Sequence, residues 1–446
     1  MTMTTNRNSL ARLARRGATT ALILAGAAAC SPDSVLNVDD PDVATPISLA
    51  DRSALPVLRT GAIGDFSVAF DGGDDNVVTY TGLLADELLN AETFPTRVEI
   101  DQRSVQPVNG SLEGVYRTLH RARASARRAA EAFATFDATN VARLEVLNLE
   151  AMSIIFFSEQ YCNGVALSTL TAAGEPVFGA QMTGTALNQM AVVIFDSVLT
   201  FAGTSVVPAV VQQANFARVG KGRALLNLNQ PAAAATAVAA VGTAFAYQLQ
   251  HSENSGRQNN GIFLTGAINR RFSVSGTEGV NGLPYRLAAD PRVVAPRGTG
   301  TAATGFDGST PLFLPTTKFP NRSAPTTVAG GLEARLIEAE ASLAAGNAGA
   351  ALITLNLLRT GVAGLAPLVT VTTDVLFRER AYWMWLEGHR LGDLRRRIRN
   401  GTGTAATLFP TGAYFKGGVY GPDVNFPIPV AEDNNPTNTG CFDRNP

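Results

Sequence analysis

Reactive side chains are scarce in this chain. Its 446 residues include three histidines, three cysteines and two tryptophans. The histidines His120, His251 and His389 are scattered, and two of them fall inside predicted helices, where packing is their usual role. No His-Glu-x-x-His pair, no Cys-x-x-Cys pair and no Gly-x-Ser-x-Gly elbow occurs, which removes the common zinc, redox and serine-hydrolase chemistries. In Val219-Gly220-Lys221-Gly222-Arg223, Asn215 stands where a phosphate loop needs its first glycine and Gly222 where it needs Ser or Thr. The acidic turn 71–76 lacks the alternating spacing of a calcium loop and reads as a solvated turn. No catalytic residues, metal or cofactor are expected. Charge is sparse too: 36 basic residues nearly balance 37 acidic ones, leaving no basic stripe for nucleic acid.

What is present begins at the N-terminus. An arginine-bearing start leads into the apolar run 18–29, the pattern of a secretory signal peptide and too short to span a membrane. Beyond Cys30 no apolar run reads as a membrane helix. Ala27-Ala28-Ala29-Cys30 resembles a bacterial lipobox, although Ala27 stands where Leu is preferred. The resemblance implies removal of 1–29, acylation of Cys30 and, with Ser31 following, sorting to the outer membrane. Losing Arg7, Arg12, Arg15 and Arg16 and no acid would leave 32 basic against 37 acidic residues, a net charge of about −5. Residues 30–47 read as a lipid-anchored tether rich in Pro, Asp and Asn. Outside the cytoplasm, Cys162 and Cys441 either form a bridge stapling the C-terminal tail to the body, the reading preferred here, or remain two separate thiols.

Residues 48–446 read as a single domain. The N-terminal half, 48–245, is helical, with helices expected over 48–68, 79–90, 111–136, 140–161 and 181–201. A loose repeat follows: placing Ala224 on Ala341 sets Asn229-Gln230 on Gly346-Asn347, each copy a helix, a short turn and a second helix, like a tetratricopeptide hairpin. Between the copies, 248–328 is irregular and rich in Gly, Asn, Ser, Thr and Pro, with short strands expected at 261–264 and 312–314. The C-terminal part, 331–446, holds the second hairpin, a charged stretch at 373–399 and an irregular tail. Apolar residues from Phe377 to Ile398 recur three or four apart across 373–399, so one continuous helix is expected, capped by Thr373 and stopped at Asn400-Gly401. Within it Arg380, Glu387, Arg390 and Asp393 are expected to pair with one another or with the 335–340 hairpin.

Several segments together resemble one family, the SusD/RagB-like outer-membrane nutrient-binding lipoproteins. Arg378-Glu379-Arg380, Leu386-Glu387-Gly388-His389-Arg390 and Asp393-Leu394 look like its signature, with Trp385 replacing the usual acidic residue. Arg335 to Glu340, Gly346-Asn347 and Leu355 to Arg359 look like a second segment, and Phe426-Pro427-Ile428-Pro429 with Glu432 and Asn435-Pro436 like the C-terminal ending. The resemblance implies a mainly α fold, an α-α superhelix of tetratricopeptide-like hairpins with a loop-rich ligand face. It also implies a non-catalytic protein that captures a glycan or other nutrient and passes it to a SusC-like TonB-dependent transporter. Ligand contacts are expected from the irregular insert and its edge: Tyr247, Phe263, Phe272, Asn281, Tyr285, Arg286 and Phe306. The alternative is an outer-membrane helical-repeat adaptor that binds only protein.

Overall fold

The computed structural model describes residues 51–171 and 175–446. The signal peptide, Cys30 and the tether lie outside the described residues. Residues Asp51–Pro446 form one unit, about half helix, and the helices pack largely as sequence neighbours.

Helix α1 (Leu55–Asp71) lies against α4 (Gly110–Phe136). Between them come α2 (Val77–Leu84), strand β1 (Leu88–Asn90) and α3 (Pro95–Asp101). The stretch read as one helix over 79–90 is therefore a helix followed by a strand, since β1 finds an antiparallel partner far away in sequence. Asn109, not Ser111, caps α4: its side chain accepts the Leu112 N–H at 3.0 Å. The expected stripe of α4, Leu112 to Phe133, is buried, and its arginines face outward except Arg123. Helix α5 (Ala142–Gln160) is buried along almost its whole length, packed on α1, α4, α6 (Gly184–Ala202) and α7 (Pro208–Asn227). By length and composition α6 is apolar enough to cross a membrane, which corrects the earlier reading of that stretch; it packs between α5 and α7 through Leu187, Ala191, Phe195 and Val198. Between α5 and α6, β2 (Val165–Ala166) pairs with β5 (Gln181–Met182), and β3 (Thr169–Leu170) with β4 (Pro176–Val177).

The two hairpins are α7 with α8 (Pro231–Val238) and α9 (Gly331–Ala344) with α10 (Ala348–Arg359), and α8 packs on α9. Asn229 (φ 57°) and Gly346 (φ 78°), aligned in the repeat, occupy the same left-handed position in their turns. The segment between the hairpins is held at two places. Strand β6 (Ala246–Leu249) pairs antiparallel with β8 (Thr326–Gly330), and β7 (Phe272–Val274) pairs antiparallel with β1. The strand expected at 261–264 is instead a helical turn, because the Asn260 side chain caps it at the Phe263 N–H. At 312–314 the structure has one isolated bridge, Phe313 with Arg297, not a full strand.

The expected helix over 373–399 is two helices, α11 (Thr373–Trp383) and α12 (Arg390–Arg399), with α11 capped by Thr372. Leu386 (φ 55°) and Gly388 (φ 70°) reverse the chain between them. The buried Glu87 carboxyl oxygen accepts the Leu386 N–H at 2.8 Å, so the backbone at the break has a partner outside any helix. The charged residues pair differently from expectation as a result. Arg380 donates to Asp393 at 2.7 and 2.9 Å, and Arg396, which the sequence reading did not name, bridges Asp393 and Glu340. Arg390 instead pairs with Asp86, and Glu387 with Lys318 at 2.8 Å, both beyond the expected partners. Cys162 and Cys441 are joined in a disulfide. The tail also donates the Phe442 N–H to the Asn163 carbonyl at 2.8 Å.

The turn at 71–76 is not uniformly solvated. Asp71 is buried among Thr326, Asn260 and His251, and burial raises its carboxyl to about 7.

Candidate functional site

Three of the seven residues expected to touch ligand are buried, three are half-buried and one is exposed. The Tyr247 ring is buried and its hydroxyl donates to Glu145 at 2.9 Å. Phe272 is buried in β7, and Tyr285 is fully buried against Trp385 and Tyr382. These three rings fill the core beneath their own loops, which removes them as stacking surfaces. Phe263 is half-buried against the core. Asn281 ties the insert to the C-terminal region by donating to the carbonyls of Ala406 and Phe409, and the Arg286 guanidinium lies 4.0 Å from the Phe313 ring centroid. Phe306 differs: it is 52% exposed.

Phe306 lies beside Phe94, 45% exposed, with ring centroids 6.2 Å apart and planes within 19°. Two unrelated segments deliver these rings. Phe94 is the residue before Pro95, which opens α3 and holds Phe94 extended at the helix entrance. Phe306 sits in a loop pinned to the end of β1: its own N–H donates to the Arg270 carbonyl at 2.8 Å, and the Asp307 N–H to the Ala91 carbonyl at 3.0 Å. A Cβ at Gly305 would meet the Ala91 oxygen at 2.5 Å, so glycine is what lets the loop approach this closely. Arg270 (φ 57°) is a strained residue in the same tie, the sort of outlier that gathers at ligand sites.

Charged groups frame the pair. The guanidinium carbons of Arg97 and Arg271 lie 5.7 and 5.6 Å from the Phe94 ring centroid. Arg97 is fully engaged, with Asp75 at 2.6 Å and Glu92 at 3.1 Å, and it is a fixed wall. Arg271 reaches Asp74 only at 3.5 Å and Glu92 at 3.7 Å, so its donors are loosely used. Lys416 joins Asp307 (2.8 Å) to the Glu92 carbonyl (2.6 Å). Burial pushes the Asp307 carboxyl up, but Lys416 and Thr310 outweigh it and hold it well below the usual carboxylate range. Next to Lys416, Phe415 exposes a third ring (47%) at the edge of a hollow of about 390 Å³ lined by Leu89, Glu278 and Tyr420. Exposed aromatic faces with a few fixed polar groups can stack on the apolar face of a sugar ring and hydrogen-bond its hydroxyls. Phe94 was not among the residues expected from sequence; a lone aromatic ahead of a proline in a polar loop was the signal available.

No family model matches this chain, and no curated protein does. Solved structures do. Surface glycan-binding protein A from Bacteroides uniformis superposes with a TM-score of 0.65 at 14% identity, covering 87% of this chain and 99% of that one. A laminarin-binding SusD-like protein gives 0.62 at 14%, covering 88% and 99%. Surface glycan-binding protein A from Bacteroides thetaiotaomicron in complex with laminarihexaose gives 0.60 at 13%, again covering 88% and 99%. The chain has the SusD-like fold, the mainly α architecture that its C-terminal motifs implied.

Proposed function

We propose that this protein is a non-catalytic, surface-exposed glycan-binding lipoprotein, anchored through Cys30, that delivers its ligand to a SusC-like TonB-dependent transporter in the outer membrane. The observation that carries the binding step is the exposed Phe94–Phe306 platform, framed by Arg97 and the loosely engaged Arg271, on a SusD-like fold. Of the residues expected from sequence, Phe306 is retained as a contact, joined by Phe94, Arg271 and Phe415. The laminarihexaose bound to the Bacteroides thetaiotaomicron neighbour makes a linear glucan a suitable first ligand. Isothermal titration calorimetry of the soluble chain with laminarihexaose and a panel of other neutral oligosaccharides tests this. Binding that weakens at least tenfold in Phe94→Ala and Phe306→Ala, with melting temperature unchanged, supports the reading; a panel with no ligand overturns it.

The anchor and the hand-off have their own tests. Palmitate labelling is expected to vanish in Cys30→Ala, and a TonB-dependent transporter is expected to co-purify with the membrane-extracted protein. A protein-only adaptor has one observation in its favour, the exposed Ile353 and Leu357 on α10. Capture of a non-transporter protein lost in Leu357→Asp, with no glycan bound, would favour it.

A further inference from the structure

A second hollow, of about 800 Å³, opens on the outer face of α4, away from the aromatic platform in sequence and built from different elements. Its walls come from α4, from β2, β3 and β4, and from the turn at 430–434. Arg117, Arg121, Arg123 and Arg128 line it, against the carboxylates of Asp65 and Glu432. Arg121 is neutralised by Asp65 at 3.0 Å and Arg117 by Glu113 at 2.7 Å, whereas Arg128 has no ion pair among the described residues.

Arg123 is the unusual member. It is 2% exposed, and among the described residues no carboxylate lies within 4.0 Å of its guanidinium. One arm donates to the Ser168 carbonyl, and its Nε has no partner. Two more polar atoms lining the same hollow are buried without partners, the Tyr116 hydroxyl and His120 Nε2. Burial, aided by Arg123, keeps His120 neutral, with its pKa down at about 3. A buried guanidinium that lacks a counter-charge is costly, and native proteins nearly always pair one. Three buried polar groups without hydrogen-bond partners, on residues lining one hollow with Glu432 near Tyr116, mark a place for a ligand group that satisfies them together.

We propose that this hollow is a binding site for a small organic carboxylate of sugar size, a uronic acid or its close relative. The carboxylate lies against Arg123, the geometry in which a guanidinium fork binds two oxygens at once. Ring hydroxyls then meet Tyr116 and His120, and the apolar body lies on Leu170, Pro176 and Ala431 at the mouth. Inorganic sulfate shares the charge but lacks the ring, so it separates recognition of an oxyanion from recognition of the sugar. The site is independent of the Phe94–Phe306 reading.

Calorimetric titration of the soluble chain with D-glucuronate and D-galacturonate, against D-glucose, D-galactose and sodium sulfate, tests it. At least one uronate is expected to bind, with the matching neutral sugar at least tenfold weaker. Binding should fall at least tenfold in Arg123→Met and in Leu170→Trp, and a few-fold in Arg128→Gln. Arg128 and Leu170 are exposed, so the latter two variants will fold even if Arg123→Met does not. Laminarihexaose affinity should be unchanged in both, which separates failure of this site from failure of the platform. Absence of uronate binding, equal binding of the neutral sugar, unchanged binding in Leu170→Trp and Arg128→Gln, or sulfate binding as tightly as the uronates would each overturn the proposal.

Discussion

Arg390 donates Nε–H and Nη2–H to the two carboxylate oxygens of Asp86, 2.7 Å each, joining the start of α12 to the segment after α2 across 304 residues. Both side chains are nearly sealed from solvent, at 5% and 0% exposure. Removing one member of such a pair strands a buried charge, at a cost of about 3–5 kcal/mol. Arg390→Met and Asp86→Leu should each lower stability by that amount in urea titrations. The double variant should recover part of the loss; strict additivity of the two single effects would show that the pair is not coupled.

The aromatic platform depends on a backbone contact as well as on its rings. Gly305→Ala places a Cβ against the Ala91 oxygen and moves Phe306 away from Phe94. Overpacking of this kind costs about 1–3 kcal/mol. Glycan affinity should drop about tenfold, and calorimetry with near-native affinity would count against the platform. Tyr285→Phe provides the contrast. The Tyr285 hydroxyl is buried without a partner, so losing it should leave ligand affinity unchanged and stability equal or slightly higher.

Stability should fall as pH rises from 6.5 to 8. Burial raises the carboxyls of Asp71 to about 7 and of Glu87 and Glu333 to about 8, so the folded chain keeps protons there that the unfolded chain has released. Each such proton lowers stability by about 1.4 kcal/mol per pH unit, until pH passes the folded pKa. The histidines act in the opposite direction at lower pH. Burial holds His120 at about 3 and His251 at about 4, so below 6.5 the unfolded state takes up protons that the folded state refuses. Between about pH 4.5 and 6.5 the two sets of groups oppose each other, so the melting temperature should fall with rising pH most steeply above 6.5, where the histidines no longer contribute. Glu87→Gln, which retains an oxygen to accept the Leu386 N–H, should flatten the alkaline limb; an unchanged slope would remove Glu87 as a cause.

The Cys162–Cys441 bridge closes a loop of 279 residues onto a tail that has few helical contacts of its own. Reduction, or Cys441→Ser, should cost about 2–4 kcal/mol, read as a lower melting temperature. The tail should become more susceptible to proteolysis while the helical body remains intact.

The sequence by itself determined the helical body. The apolar stripe of α4 from Leu112 to Phe133 and the matched turns at Asn229 and Gly346 were legible because helical periodicity and turn chemistry are local. It did not reveal that 373–399 breaks at Leu386 and Gly388, because the apolar spacing runs through the break and the deciding partner, Glu87, is about 300 residues away. Exposure was decided by tertiary structure too. Tyr247, Tyr285 and Phe306 are all aromatic residues in or beside one irregular stretch, and only packing against α5, Trp385 or Phe94 separates the buried rings from the exposed one. The same holds for Arg123, one arginine among many on α4, which becomes a candidate ligand contact only because the strands after α5 and the C-terminal turn line a hollow with it and, among the described residues, no carboxylate comes within 4.0 Å of its guanidinium.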